Sequence, residues 1–251
     1  NLTTEETFSL AVQNQQKNNL QAAEKLYKET LKINPNHVDA NNNLGIILLR
    51  SGKLQKAISC FEKAIEINPN HANAHNNFGV AFRQLGEHQK AKSCYEKAIE
   101  IQPNYASAHN NLGEVFRQLG EHQKAKSCHQ KAIEINPNNA ESHNNLGLIF
   151  NELEEHQKAI SCYEKAIEIK PNHASAHNNL GNIFRKFKEF QKAANYFVRS
   201  ATVFGNAQFL ECTYFSNGVE NYNKLLNTFA EKDPTNLRIA SLAAYVSTKE
   251  N

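Results

Sequence analysis

The sequence contains no methionine and no tryptophan, and it has only six prolines and ten glycines in 251 residues. It also lacks any apolar run approaching the 18 or more residues that cross a bilayer, and its start shows no signal-peptide pattern. We therefore expect neither a membrane span nor a membrane partner. Because the chain begins at Asn1 and has no methionine anywhere, we expect it to be a piece of a longer protein.

A strong excess of one charge is missing too. Lysine and arginine number 28 against 25 for aspartate and glutamate, so the formal net charge is only +3. This balance does not favour wholesale electrostatic binding to nucleic acid. Hydrophobic residues make up 40% of the chain, which is enough to build a core, so we expect a folded protein.

The few cysteines, prolines and glycines that occur are regularly spaced. Intervals of 34 residues separate Cys60, Cys94, Cys128 and Cys162, and the same interval separates Pro35, Pro69, Pro103, Pro137 and Pro171, and also Gly45, Gly79, Gly113, Gly147 and Gly181. A fixed period of this length indicates a repeat architecture. Residues 75–104 and 109–138 are identical at 24 of 30 positions, so these two units are near duplicates.

Each repeat is predicted to form two helices. In the third repeat two apolar series recur at helical spacing, first Phe78, Ala81, Phe82 and Leu85 and then Ala91, Tyr95, Ala98 and Ile99. Gly86 separates the two series, Pro103 ends the second, and Asn104 is expected to cap the next helix. A helix of about 14 residues cannot bury its apolar face alone, so neighbouring repeats must cover it.

The pattern resembles the tetratricopeptide repeat, which has a large residue, Leu-Gly, two aromatics, two alanines and a proline at fixed offsets. The third repeat supplies these as His75, Phe78-Gly79, Phe82, Ala91, Tyr95, Ala98 and Pro103. We assign repeats at 4–37, 38–71, 72–105, 106–139, 140–173 and 174–207, a degenerate seventh helix pair at 208–234 and a capping helix at 235–251. The resemblance implies an all-α fold, a right-handed superhelical solenoid of about seven repeats.

In the family that the chain resembles, the first helix of each repeat lines a concave face that usually binds an extended peptide. Here that face carries consecutive asparagines: Asn42-Asn43, Asn76-Asn77, Asn110-Asn111, Asn144-Asn145 and Asn178-Asn179. An amide offers a donor and an acceptor, so such a row can pair with a peptide backbone without reading side chains. The row is similar to that of O-linked N-acetylglucosamine transferase. Alternatively, the amides are solvated or bond one another between repeats.

Three arginines, Arg83, Arg117 and Arg185, lie at the same position of their asparagine-bearing repeats. The planar guanidinium suits a carboxylate, so an acidic side chain or a chain terminus is a reasonable ligand group. Glu114 nearby argues against a purely anionic partner, and ordinary solvated arginines are the alternative. The predicted peptide-binding residues are Asn43, Asn76, Asn77, Asn110, Asn111, Asn144, Asn145, Asn178, Asn179, Arg83, Arg117 and Arg185.

The repeated histidines and cysteines are not predicted to form a metal site or disulfides. Residues one repeat apart lie in layers about 10 Å apart, whereas zinc ligands converge at about 2 Å and a disulfide needs Cα atoms within about 7 Å. Reduced thiols fit a cytoplasmic setting. No nucleophile elbow, phosphate-binding glycine loop or His-Glu-x-x-His occurs in the sequence, so we expect no catalytic residues and no cofactor.

The sequence thus predicts a non-enzymatic module that binds a protein or peptide, and self-association through the same groove is compatible with it. The alternative is that this chain is the substrate-recruiting arm of a larger enzyme, such as a glycosyltransferase, sulfotransferase or oxygenase, with its catalytic domain elsewhere. A helical-repeat RNA reader is disfavoured because the face lacks a row of aromatic residues for base stacking.

Overall fold

A computed structural model describes residues 2–200 and 208–213 of the chain. The chain is divided into two compact units, residues 1–137 and residues 138–251. The first contains eight helices among its described residues: α1 Thr4–Gln16, α2 Leu20–Ile33, α3 Val38–Arg50, α4 Leu54–Ile67, α5 Ala72–Gln84, α6 His88–Ile101, α7 Ala106–Gln118 and α8 His122–Ile135.

The second unit continues the same pattern with α9 Ala140–Glu152, α10 His156–Ile169, α11 Ala174–Lys186 and α12 Phe190–Arg199, and residues 208–213 are also helical. The predicted capping helix at 235–251, and most of the predicted degenerate pair at 208–234, lie outside the described residues. Within the described ranges there are helices and no strands, which confirms the predicted all-α class.

The two helices of each repeat pack tightly because a glycine faces a ring. A methyl group added at Gly79 would lie 2.7 Å from the ring of Tyr95, and one at Gly113 would lie 2.8 Å from the ring of His129. Only a residue without a side chain allows this approach. The same contact recurs between Gly45 and Phe61, where the distance would be 2.5 Å.

The sequence correctly places the end of the second helix in the third repeat. Helix α6 ends at Ile101, two residues before Pro103, and Gln102 leaves the helical conformation with ψ of 88°. The predicted cap is wrong, however. The N-cap of α7 is Tyr105 rather than Asn104, and its side chain makes no cap hydrogen bond.

Three first helices instead begin at a histidine, His37, His71 and His173. The Nδ1 of His71 accepts the backbone N–H of Ala74 at 3.0 Å, which puts the ring proton on Nε2. That Nε2 lies 3.0 Å from Oδ1 of Asp39 in the preceding repeat. The cap of α5 is therefore also a bond between neighbouring repeats.

The histidines in the large-residue slot have a structural role in the described repeats. The Nε2 of His75 donates to the carbonyl of Pro69 at 2.9 Å, and His109 and His177 bond Pro103 and Pro171 in the same way at 2.9 and 2.8 Å. Each of these histidines fixes the loop that precedes its helix. Their spacing is thus explained without a metal ion.

Candidate peptide-binding face

The predicted binding residues lie on the first helices of the repeats, α3, α5 and α7 in the first unit and α9 and α11 in the second. In α5, Asn76, Val80 and Arg83 are four and then three residues apart, so they share one face of the helix. We call the asparagine pairs, together with the residues four and seven positions after the first member of each pair, the Asn face. Helix α5 contacts both α3 and α7, so this face is continuous within the first unit.

The two asparagines of a pair differ in burial. The first member is 2–6% exposed at Asn42, Asn76 and Asn144, whereas the second members Asn43, Asn77, Asn111 and Asn179 are half-buried. The other three asparagines depart from this pattern, because Asn110 and Asn178 are half-buried and Asn145 is only 8% exposed. The buried first amides therefore lie between repeats, although the sequence pattern placed both members of every pair on the concave face. The second amides Asn43, Asn77, Asn111 and Asn179 remain within reach of a ligand, whereas the predicted site residue Asn145 is buried.

Amides bond one another from repeat to repeat. The Nδ2 of Asn77 donates to Oδ1 of Asn42 at 2.9 Å, and the Nδ2 of Asn111 donates to Oδ1 of Asn76 at 3.0 Å. In the second unit, Asn179 donates to Asn144 at 3.1 Å. Inter-repeat bonding was one of the two interpretations of the asparagine row, and it describes the first members Asn42, Asn76 and Asn144.

Bonds within the pairs join these links into one series. Asn42 donates to Asn43 at 3.1 Å, and Asn76 donates to Asn77 at a longer 3.4 Å. The series ends in the first repeat, where Asn43 donates to the hydroxyl of Tyr27 at 3.3 Å and that hydroxyl donates to Gln15 at 2.6 Å. Every N–H···O bond between Asn111 and Gln15 points the same way, so the amides polarise one another.

The bonds of this series do not use all the hydrogen-bonding groups of the second asparagines. A primary amide has two N–H donors and two acceptor sites on its oxygen. Asn77 uses one N–H on Asn42 and one acceptor site on Asn76. One donor and one acceptor therefore remain, held in a fixed orientation by the other two bonds, and this is the pair of groups that a peptide unit of an extended chain requires.

The three predicted arginines differ in their partners. Arg117 holds both oxygens of Glu114, with Nε–Oε2 at 3.0 Å and Nη2–Oε1 at 2.7 Å. Arg185 pairs with Glu211 at 3.0 Å. The charges of these two arginines are thus balanced within the chain. An acid three residues before an arginine on a helix is a readable signal, so the Glu114–Arg117 pair could have been predicted.

Arg83 stands apart from the other two. Among the described residues its Nε is buried without a hydrogen-bond partner, and the same holds for the hydroxyl of Tyr95. Burial raises the pKa of Tyr95 to about 12, and both the positive charge of Arg83 and the contact of its guanidinium with the phenol hydroxyl oppose the rise. The two groups are therefore neighbours, and the phenol is neutral at pH 7.

His129 occupies the position of Tyr95 in the next repeat. Its Nδ1 donates to Oδ1 of Asn110 at 3.1 Å. The side chain of Asn110, a predicted binding residue, is therefore held by the core of its own repeat. Burial lowers the pKa of His129 to about 4. The ring is consequently neutral at physiological pH and fully enclosed, which does not suit a general base that reaches a substrate.

Other chemistry finds little support among the described residues. No three His, Cys, Asp or Glu side chains in residues 2–200 and 208–213 are grouped to hold a metal ion. Burial raises the pKa of Cys60, Cys94, Cys128 and Cys162 to about 11, so these thiols stay protonated at neutral pH. The helices of the described ranges are all too short and too polar to cross a membrane.

Comparison with known proteins agrees with the repeat geometry. The tetratricopeptide repeat family matches residues 36–104, 104–172 and 138–204. No curated protein matches the sequence. Among solved structures, PilF of Pseudomonas aeruginosa is 21% identical with a TM-score of 0.71, covering 83% of this chain and 97% of that one.

Two further solved structures align with a shorter part of the chain. MamA is 28% identical with a TM-score of 0.56, covering 65% of this chain and 96% of MamA. YrrB, described as a TPR protein with an unusual peptide-binding site, is 22% identical with a TM-score of 0.55, covering 69% of this chain and 90% of YrrB. The likeness to PilF and YrrB is one of fold.

Proposed function

The chain belongs to the tetratricopeptide repeat family, and from that premise we propose that it is a protein-interaction module whose Asn face binds an extended peptide or partner segment. The observation that carries the proposal is the amide series. Two hydrogen bonds orient Asn77, and one donor and one acceptor are left over. The description of YrrB as a peptide-binding member of this fold supports the assignment.

The second asparagines supply the backbone contacts in this proposal. Asn43, Asn77 and Asn111 stand one repeat apart in the first unit, and Asn179 has the same place in the second. Buried first asparagines orient them, because Asn76 accepts a hydrogen bond from Asn111 and Asn144 accepts one from Asn179. A preoriented amide binds better than a free one because less side-chain entropy is lost on binding.

Side chains beside the amides set the preference for the bound segment. In α3 the positions four and seven residues after Asn42 are Ile46 and Leu49, both half-buried, and α5 adds Val80. This end of the Asn face is apolar. It suits an apolar side chain of the partner, whereas Arg83 and the Glu114–Arg117 pair make the following stretch polar.

The proposal is tested with displayed random peptides of about 12 residues, which reach about 40 Å when extended. The wild-type chain is panned beside a variant with Asn77→Ala and Asn111→Ala. Each lost neutral hydrogen bond should weaken a selected peptide by about 0.5–1.5 kcal/mol. Circular dichroism checks that the variant remains helical, and the two single variants replace it if the double variant unfolds.

A matched control changes the outer surface instead. Lys97→Ala with Glu100→Ala removes an exposed ion pair of α6, whose N–O distance is 2.9 Å, and leaves the asparagines alone. Binding that is lost in the asparagine variants and kept in the control supports the Asn face. Binding that survives both asparagine changes but disappears in the control puts the site on the outer surface and overturns the proposal.

A further inference from the structure

We infer that the helix at residues 208–213 covers the Asn face at α11 and is displaced by a partner segment that binds there, so that the chain carries an internal competitor of its partner. The inference rests on the proposed peptide-binding function and adds a regulation of its site in the second unit. The amides of the first unit, including Asn77 and Asn111, serve as the reference.

Two polar side chains of this helix bind the Asn face. The Nε2 of Gln208 donates to Oδ1 of Asn182 at 2.9 Å, and Arg185 donates to Oε2 of Glu211 at 3.0 Å. Asn182 and Arg185 lie four and seven positions after Asn178, the first asparagine of its pair, so both belong to the Asn face. The chain itself therefore uses groups that α11 would offer to a partner.

Another side of the helix is apolar and packs against α12. Cys212 is fully buried together with Ala193, Ala194 and Phe197, and Phe209 packs against the same cluster. The helix is thus amphipathic, with its apolar side on α12 and its polar side on α11. The contacts with α11 are hydrogen bonds of a kind that a bound peptide also makes.

The helix lies out of the register of the repeats. Asparagine bonds between successive first helices join residues 35 positions apart, as between Asn179 and Asn144. The bond from Gln208 to Asn182 joins residues only 26 positions apart, and the same separation holds for the pair that Arg185 forms. This difference corresponds to about 14 Å along a helix at about 1.5 Å per residue. The helix is therefore displaced along α11 from the place that the repeat register would give it.

This displacement leaves buried acceptors without donors. The Oδ1 of Asn178 is buried and has no hydrogen-bond partner among the described residues. In the repeat register its donor would come from Thr213, whose hydroxyl instead donates to the carbonyl of Phe209 in its own helix at 2.8 Å. The Oε1 of Gln208 is likewise buried without a partner in the described ranges. Buried groups that lack a hydrogen bond cost free energy, so this helix is held less firmly than a helix in register.

The partner and the helix need the same side chains. Gln208 occupies the oxygen of Asn182 and Glu211 occupies the guanidinium of Arg185, so a peptide reaches these groups only after the helix has left. The apparent affinity of such a peptide is reduced to the extent that the helix stays in place. Loosening the helix should therefore strengthen binding at α11 and leave binding in the first unit unchanged.

The first measurement follows the alkylation of Cys212 by iodoacetamide, because this thiol is fully buried while the helix is in place. Arg185→Gln removes the charged contact and Asn182→Ala removes the neutral one. Mass spectrometry compares Cys212 with the half-buried Cys162 as an internal reference. We expect Arg185→Gln to speed the alkylation of Cys212 about tenfold and Asn182→Ala to speed it less, because hydrogen bonds to charged groups are the stronger ones. The rate at Cys162 should not change.

The charge of Arg185 separates opening of the helix from a direct effect on the thiol. Burial raises the pKa of Cys212 to about 11, and the charge of Arg185 opposes the rise. Loss of the arginine alone would therefore make the thiol less reactive, so faster alkylation reports opening. The matched control is Arg117→Gln, because Arg117 has the equivalent position in repeat four and pairs with Glu114 of its own helix. No increase in Arg185→Gln, or an equal increase in Arg117→Gln, overturns the inference, and Asn182→Ala takes the place of Arg185→Gln if that variant unfolds.

The second measurement tests the competition. Displayed random peptides are panned on a released chain with Gln208→Ala and Glu211→Gln, and those that lose binding when Asn179→Ala is added are kept. These peptides should bind the wild-type chain at least about tenfold more weakly than the released chain, and they should speed the alkylation of Cys212 in the wild-type chain. Peptides that depend on Asn77 should bind both chains equally.

The inference and the proposed function have separate outcomes. If peptides that depend on Asn179 bind both chains equally, or if the released chain selects none, the helix is not a competitor, whereas peptides that depend on Asn77 and Asn111 still support the proposed function. If no peptide depends on Asn77, Asn111 or Asn179, the proposed function is wrong, and the competition is wrong with it even where Cys212 becomes reactive.

Discussion

Repeats three and four are almost the same sequence, yet they present different chemistry. Residues 75–104 and 109–138 agree at 24 of 30 positions, and the helices α5–α6 and α7–α8 have the same lengths. Two of the six differences, Val80/Glu114 and Tyr95/His129, change a charged or titratable group on the Asn face or between the two helices. A duplicated scaffold thus changes its surface through very few substitutions.

The first of these differences acts on charge. Glu114 forms a two-bond pair with Arg117, and that pair is only partly exposed, at 27% for the arginine side chain and 20% for the glutamate. In repeat three the residue equivalent to Glu114 is Val80, which has no acid to offer Arg83. Two arginines that look equal in the sequence therefore differ in what they offer a ligand.

The second difference acts on the core. Tyr95 brings a hydroxyl towards Arg83, whereas His129 turns its Nδ1 to Asn110 and has a buried Nε2 with no hydrogen-bond partner among the described residues. The histidine also introduces a titratable group into an enclosed site. Repeat four should for that reason respond to pH in a way that repeat three does not.

The largest expected effect tests this pH response. Burial lowers the pKa of His129 from its ordinary value of 6.5 to about 4. Between these two values the histidine is protonated in the unfolded chain and neutral in the folded chain. Stability is therefore unaffected above pH 6.5 and falls as the pH decreases towards 4. The full difference is about 3 kcal/mol. It is measured as the free energy of unfolding in urea across this range.

The matched variant is His129→Phe. A ring of this kind fits, because Phe61 occupies the same place in α4 beside Ile47, which corresponds to Val115. The variant shares all carboxylates with the wild-type chain, so only the difference between the two pH curves counts. If both curves fall together between pH 6.5 and 4, the buried histidine is not the cause.

A smaller effect is expected from the inter-repeat amide bonds, where the two repeats should behave alike. Asn111→Ala leaves Oδ1 of Asn76 buried without the donor that now lies at 3.0 Å, and Asn77→Ala does the same to Asn42. Each change should cost about 1–3 kcal/mol, measured by urea unfolding. A cost near zero for both would mean that water replaces these donors and that the amides are not held in place.

How well the sequence predicts a feature of this structure depends on how many residues separate the groups that form it. The helix ends before the prolines and the glycines at the helix crossings follow from local rules, and Gly79 and Pro103 behave as expected. The bond from Asn77 to Asn42 joins residues 35 positions apart, and periodicity says only that both lie near one face. Which amide turns into the interface depends on the packing of the repeats.

The N-cap of the repeats shows a similar limit. Asn104 has the right chemistry for a cap, but the chain enters α7 one residue later, at Tyr105. The capping residues His37, His71 and His173 are not the residue types usually associated with caps, so composition did not reveal them. The contact of His71 with Asp39 could be found only by aligning the repeats and placing them in layers.

This cap provides the next prediction, because repeat three has it and repeat four does not. His71→Ala removes the acceptor for the backbone N–H of Ala74 and the bond to Asp39, and it should cost about 1 kcal/mol. Amide hydrogen exchange at the start of α5 should rise, whereas the start of α7 should be unchanged. Asn19→Ala serves as the control, since the N-cap Asn19 makes no side-chain cap bond. Equal losses in both variants would argue against a cap at His71.

The smallest effect concerns the outer surface, which the duplication left the same in both repeats. Lys97 and Glu100 of α6 and Lys131 and Glu134 of α8 form ion pairs with the same N–O distance of 2.9 Å, and all four side chains are more than 40% exposed. Exposed pairs of this spacing contribute little because water and salt screen them. Lys97→Ala and Lys131→Ala should therefore each lower the free energy of unfolding by at most about 0.5 kcal/mol, equally in the two repeats. A larger or unequal loss would show that the outer surfaces of the duplicates differ as well, and that the contrast between the repeats is not confined to the Asn face and the core.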